Sequence, residues 1–289
     1  MRDLTEFIFS IFIRMVAILT IIILALIIFF ILQESTAFFK EVSIVEFIFG
    51  RSWKPLAISD EPSYSILPMI LTTLYTSLIA IIIVLPIGVG CALFLSVYLS
   101  QRMRNMIKPF IDFLAGVPSV VYGMVGLLVL VKHFERIFHM SSGESVLAGG
   151  ILLSVMVLPY MISTCDETMA EIMDRYQAPS QALGIPRIYM ISRLILPGAK
   201  KSIVAGIILA LARAMGETMA VMMVIGNAPI MPKLLGKSQT ISALIALEMG
   251  GVTINSTHYH ALFAAGFVLM IMLLLINIVV YYVRKTIKI

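Results

Sequence analysis

The chain has 289 residues, 60% of them hydrophobic and only 13% charged, and a mean hydropathy of +1.04. These values exclude a soluble domain and describe a polytopic membrane protein. A net charge of +5 does not point to nucleic acid, because the basic residues gather in short segments between apolar runs, where the positive-inside rule accounts for them.

Six apolar runs are long enough to cross a bilayer, at about residues 11–32, 67–99, 109–131, 146–164, 203–225 and 261–283. An all-α protein with six transmembrane helices is expected. Within the first run the uncharged stretch 15–32 follows Arg2 and Arg14; it is longer than a signal-peptide core and no small-x-small site follows it, so it reads as an uncleaved span. With the N-terminus inside, the inner segments hold 13 Lys and Arg, from Arg2 and Arg14 to Arg284, Lys285 and Lys288, against 7 outside. Both termini are therefore expected in the cytoplasm.

The outer segment 33–64 holds the only tryptophan, Trp53, with Pro55 and Pro62, and reads as a loop with some helix and no chemistry. The second run is too long for one upright span, so it must tilt, bend near Pro86 and Gly88, or project from the lipid. The basic turn 100–108 needs no role beyond topology. In the third run Pro118 interrupts the helical ladder, while Gly116, Gly123 and Gly126 permit close backbone approach. Ser119 and Tyr122 offer hydroxyls either to a pathway or to neighbouring helices. Cys91 and Cys165 show neither metal nor disulfide spacing and read as small apolar filler.

Residues 165–201 form the longest inner segment and mix acids with bases. Gly184 suits a helix C′ position, Pro186 opens a following helix and Pro197 ends it, giving two short helices at an angle. Such a knob suits a cytoplasmic partner or a helix lying on the membrane surface.

The fifth run carries Arg213 and Glu217. Counted from Lys201, twelve residues at about 1.5 Å each place Arg213 roughly 18 Å deep, near the bilayer middle. An arginine there costs about 2.5–3.5 kcal/mol on insertion scales, so a compensating partner or a use is required. On a continuous helix Glu217 shares its face and pairs with it. Either the pair is structural or it lines an anion pathway, to which Thr218 adds a hydroxyl. The last outer loop, 226–259, holds a short helix at 241–249 with Thr240 or Ser238 as cap and Gly250 as stop. His258 and His260 lack a third ligand nearby, which argues against a metal site.

No phosphate-binding loop, zinc helix or nucleophile elbow occurs, and the chain shows no internal repeat. Six spans, one charged pair and a protruding knob describe half of a machine energised by another chain.

Two kinds of resemblance sharpen this reading. Membrane subunits of ABC importers carry E-A-A, three residues, Gly, nine residues, then I-x-L-P. Here Gly184 is followed nine residues on by Leu194, Ile195, Leu196 and Pro197, with Ala178, Pro179 and Ser180 in place of E-A-A. The stretches GVPSVVYGMVGLLVL (116–130) and LARAMGETMAVMMVIGN (211–227) resemble the PstC family of phosphate importer permeases, and the likeness extends over residues 67–283.

The resemblance implies a type I ABC importer permease fold, MetI-like, with residues 1–66 as an added span and outer loop and 67–289 as the permease core. It implies a prokaryotic cell-membrane transport subunit rather than an enzyme, and no cofactor on this chain, since ATP and Mg belong to a partner. The implied partners are a second permease subunit (PstA-like), an ATPase dimer (PstB-like), an extracytoplasmic phosphate-binding protein (PstS-like) and membrane lipid. Arg213, Glu217, Ser119, Tyr122 and Thr218 would line the substrate pathway, with Glu217 holding Arg213 between transport events. Ala178, Ser180, Gly184, Pro186, Leu194, Leu196 and Pro197 would couple to the ATPase. Alternatives are a sulfate or molybdate permease on the same fold, or a stand-alone ion-coupled carrier using Arg213 and Glu217 as a proton relay. An intramembrane enzyme would need a nucleophile or metal set that one Arg–Glu pair does not supply.

Overall fold

In hydrocarbon a backbone finds no water to bond, so each apolar run must satisfy its own N–H and C=O groups. The computed structural model describes residues 2–56 and 61–286. Lys288 lies outside them, as do the side chains of Arg2, Arg284 and Lys285, which were counted toward the orientation.

Helix α1 (Arg2–Glu41) is apolar on every side across its membrane window, none of which is buried inside the chain. A short helix α2 (Ile44–Phe49) follows, then a two-stranded antiparallel ribbon, β1 (Trp53–Lys54) with β2 (Ser63–Tyr64), pairing Trp53 with Tyr64. The expected outer loop therefore contains strand as well as helix. Helix α3 (Leu67–Tyr98) is a continuous rod with Pro86 inside it and a π turn over its last five residues.

The third apolar run is not one straight span. It divides into α4 (Gln101–Gly116) and α5 (Ser119–Ile137), which meet at 90°. Pro118 cannot donate to the ladder and holds Val117 extended, at φ −65° and ψ 130°. Helix α6 (Val146–Ala182) has 37 residues, about 55 Å, well beyond a bilayer core of about 30 Å. The first half of segment 165–201 is thus helix continued out of the membrane and not a separate short helix. After it come α7 (Arg187–Gly198) and α8 (Lys200–Gly216), at 60° to each other, then α9 (Met219–Ile225), α10 (Ile241–Glu248) and α11 (Thr257–Thr286). Among the described residues, four helices are long and apolar enough to cross a membrane, and six spans result if each bent pair counts as one.

The main core lies where α3, α6, α7 and α8 meet, around Val84, Leu153, Val157, Met161, Ile195 and Ala210. A second cluster joins α5, α6 and α9 through Phe134, Leu152 and Val224. A third gathers the end of α1, the ribbon, α10 and the start of α11 around Phe38, Trp53, Leu244 and Leu262. The end of α9 and loop 226–240 are fastened to the head of α6, where Ser145 donates N–H to the Val224 carbonyl and Val146 and Leu147 donate to those of Gly236 and Leu234. Lys237 Nζ adds an ion pair to Glu144 at 2.6 Å; this bond is the chief reason the Glu144 carboxyl titrates below its ordinary range.

Candidate functional site

Arg213 and Glu217 do not share a helix. Helix α8 ends at Gly216, Glu217 is extended at φ −72° and ψ 130°, and α9 begins at Met219. Gly216 and the β-branched Thr218 weaken the helix here, and local bonds complete the break. Glu217 Oε1 accepts the Ala220 N–H at 3.3 Å, capping a donor that α9 leaves free, while Ser242 Oγ donates to the Glu217 carbonyl at 2.9 Å. The expected ion pair is therefore replaced by a capping role for Glu217. Thr218 Oγ1 turns back to the Gly216 carbonyl at 3.4 Å.

Arg213 extends the row of buried Gly206 and Ala210 on α8, a spacing that aims it at α6. There its Cζ lies 5.0 Å from the centroid of the Tyr160 ring. No carboxylate lies within 4.0 Å of it among the described residues, and Arg213 remains exposed at the edge of the chain. Tyr160 was not singled out by the sequence reading. A tyrosine directly after Pro159 in an apolar run was the available signal, since a buried phenol needs a partner for its O–H.

Two tyrosines close the end of α4. Tyr160 Oη donates to the Ala115 carbonyl at 2.9 Å, and Tyr122 Oη donates to the Leu114 carbonyl at 2.8 Å. These carbonyls belong to the last turn of α4, beyond which no helix continues; that of Leu114 also accepts the Val117 N–H at 3.3 Å. Tyr122 thus spends its hydroxyl on the elbow, and Ser119 is the first residue of α5 beside it. Beyond the elbow α5 lies against α9: a Cβ on Gly123 would fall 2.9 Å from Ala220 Cα and 2.7 Å from Met223 Sδ. Only glycine allows the two helices that follow the breaks to come so close. The helices that follow the Val117–Pro118 elbow and the Glu217–Thr218 break thus lie against each other, and Tyr160 touches both the last turn of α4 and Arg213 near the end of α8.

The lower part of α4 is bound to α6 by charge. Arg104 grips Asp166 with two hydrogen bonds, Nε to Oδ1 at 3.2 Å and a terminal nitrogen to Oδ2 at 2.8 Å, and Lys108 stands 3.7 Å from the same carboxylate. Asp166 is only 1% exposed. Ser163 Oγ donates to Asp112 Oδ1 at 3.0 Å one turn further along. Residues 104, 108, 112 and 115 share one face of α4, so this helix presents its polar side to the protein and leaves Met106, Phe110 and Phe113 outside. Arg104 and Lys108 therefore have structural partners in addition to any topological role.

At the Gly184 end the expected punctuation is present. Gly184 has φ +65°; its N–H reaches the Gln181 carbonyl at 3.1 Å and the Ile185 N–H reaches that of Ser180 at 2.9 Å, the paired closure of a Schellman motif. Pro186 precedes α7, whose Leu194, Leu196 and Pro197 are half-buried against the core. Ala178, Gly184 and Pro186 are exposed, whereas Ser180 is buried. Sequence reasoning missed the turn's apolar surface: Leu183 is 76% exposed, Ile188 68% and Tyr189 52%.

At the opposite end, Trp53 Nε1 donates to both Glu248 carboxylate oxygens at 3.1 Å, and His258 Nε2 lies 2.7 Å from the same group. His260 instead contacts Glu34 at 2.8 Å. The H-x-H pair is thus divided between two carboxylates on different elements. Thr240 Oγ1 caps α10 by accepting the Ala243 N–H, as expected.

A family model described as "Binding-protein-dependent transport system inner membrane component" matches residues 84–289. A probable ABC transporter permease protein, YqgH of Bacillus subtilis, is 33% identical over 86% of this chain and 80% of its own length. A probable phosphate transport system permease protein, PstC of Methanocaldococcus jannaschii, is 31% identical over 83% of this chain and 82% of its own. The phosphate transport system permease protein PstC of Xylella fastidiosa is 34% identical over 78% and 74%. In three dimensions the chain superposes on one from an inward-facing structure of the MetNI methionine ABC transporter with a TM-score of 0.58, covering 75% of this chain and 94% of that one at 15% identity, which establishes the MetI-type permease fold.

Proposed function

Because the chain belongs to the family of binding-protein-dependent transport system inner membrane components, we propose that it is the PstC-type membrane subunit of an ATP-driven inorganic phosphate importer. It supplies half of the translocation pathway, and a second, PstA-like permease supplies the other half. ATP and Mg sit on a PstB-like ATPase dimer, and a PstS-like binding protein delivers phosphate from outside. Residues 67–289 form the permease core, and both termini are cytoplasmic, which places the Gly184 end inside and the Trp53 end outside.

The observation that carries the pathway reading is that two interrupted helices, α4–α5 and α8–α9, pack against each other beyond their breaks, with Arg213 linked to the end of α4 through Tyr160. Irregular backbone is tolerated at membrane depth where it lines a cavity or is buried in protein, and transporters build anion sites from such breaks. Phosphate entering hydrocarbon loses its water, and the planar guanidinium fork matches phosphate oxygens with charge-assisted hydrogen bonds. Arg213 is exposed beside Tyr160 at the edge of this chain, where the second permease would complete the pathway. Glu217 shapes the break by capping α9, and Thr218, Ser119 and Tyr122 border the same junction.

The direct test reconstitutes this chain with its second permease, ATPase and binding protein in vesicles. ATP-dependent phosphate uptake that excess sulfate does not inhibit is expected. Proton-driven uptake by the purified single chain without ATP would overturn the assignment.

The turn at Gly184 is the ATPase-docking segment in this reading, reaching from about residue 173 to 197. Glu in place of Gly184 must adopt the left-handed backbone of that position, which costs a side-chain-bearing residue about 1–2 kcal/mol, and it adds a charge beside Leu183, Ile188 and Tyr189. Gly184→Glu is expected to lower uptake by about tenfold or more. Membrane insertion should be normal, and copurified ATPase should fall. Undiminished copurification with normal uptake would remove the docking role.

A further inference from the structure

Arg213 meets an aromatic ring where the sequence placed a carboxylate. We propose that Tyr160 is a positioning residue of the translocation pathway, whose ring holds the Arg213 guanidinium at the junction of the two helix breaks while leaving its N–H groups free for the passing anion. This rests on the reading of Arg213 as the anion-binding group.

A carboxylate in that place would occupy the N–H fork and set a negative charge against an incoming phosphate. The face of a phenol attracts the cation through its quadrupole and takes none of the five in-plane donors. The ring is itself held from another direction: its hydroxyl donates to the Ala115 carbonyl at 2.9 Å, on the last turn before the Pro118 elbow. Tyr122 bonds the neighbouring Leu114 carbonyl, so the elbow stays fastened from a second point. Along α6, Asp166 and Ser163 bind Arg104 and Asp112 of the same helix. Tyr160 is thus the point where the arginine of α8 is referenced to α4. Its two functions are separable, because the hydroxyl serves the elbow and the ring serves the arginine.

The test uses the complete importer in vesicles and reads phosphate turnover together with complex yield. Tyr160→Leu removes both ring and hydroxyl and is expected to slow turnover about tenfold. Tyr160→Phe keeps the ring and should remain within about threefold of the parent. Phenylalanine analogues with progressively more ring fluorines, incorporated at position 160, weaken the quadrupole at nearly constant shape; turnover should fall stepwise along the series. A pentafluoro ring as active as an unsubstituted one would overturn the proposal, as would equal losses in Tyr160→Leu and Tyr160→Phe. If Tyr160→Leu does not assemble, the fluorinated series decides alone. Normal uptake by Arg213→Gln would overturn the pathway reading itself, whereas a slow Arg213→Gln with a flat fluorine series would overturn only the role of Tyr160.

Discussion

Arg213→Gln is expected to cut phosphate uptake by about a hundredfold or more. Hydrogen bonds to charged groups contribute about 1.5–3 kcal/mol each, and the guanidinium fork offers two at once, so losing them costs at least about 3 kcal/mol, or about two decades in rate. The loss should appear in uptake and not in assembly, because Arg213 is exposed on this chain and packs on the Tyr160 ring, not on a buried carboxylate. The measurement is binding-protein-dependent uptake by vesicles containing the four-component complex, normalised to complex content. Parental uptake would remove Arg213 from the pathway. Glu217→Gln offers a contrast within the same assay, since an amide oxygen still accepts the Ala220 N–H that Glu217 Oε1 now holds.

The second large effect concerns stability. Asp166→Ala should destabilise the complex by about 3–5 kcal/mol, because it leaves the Arg104 guanidinium, only 15% exposed, without its carboxylate. Thermal unfolding of the detergent-extracted complex would show the loss as a lowered midpoint. Replacing both members by apolar residues, as in Arg104→Met with Asp166→Leu, should recover most of it, since a buried pair offsets its desolvation cost only in part. If the single and double variants unfold at the same temperature, the buried charge is not the source of the loss.

Much of this architecture could be read from residues alone because it depends on local rules. Apolar run length located the four helices long enough to cross a membrane and the sites of the two bent pairs, Pro118 marked the elbow, Gly184 marked the left-handed helix end and Thr240 the cap of α10. The break at Glu217 went unread for a physical reason: Gly216 and Thr218 weaken the helix only modestly, and the hydropathy of the surrounding run responds to burial in lipid, not to backbone continuity. The pairing expected of Arg213 and Glu217 assumed an unbroken helix, and a single extended residue removed it. Distance along the chain hid the rest. Trp53 and Glu248 are separated by 195 residues, and Arg104 and Asp166 by 62, so no periodicity links them. Tyr160 escaped notice because an aromatic residue in a membrane span usually does no more than fill space. The family resemblance supplied the fold, which the three-dimensional comparison then established, but it could not indicate which group answers the arginine.

The contact at Gly123 constrains how this subunit can move. With α5 and α9 pressed together backbone to backbone, the arms beyond Pro118 and Glu217 have no room to slide independently. They are expected to turn together as one leaf, a change of angle at one corner being matched at the other, because sliding of either arm would drive Gly123 into Ala220.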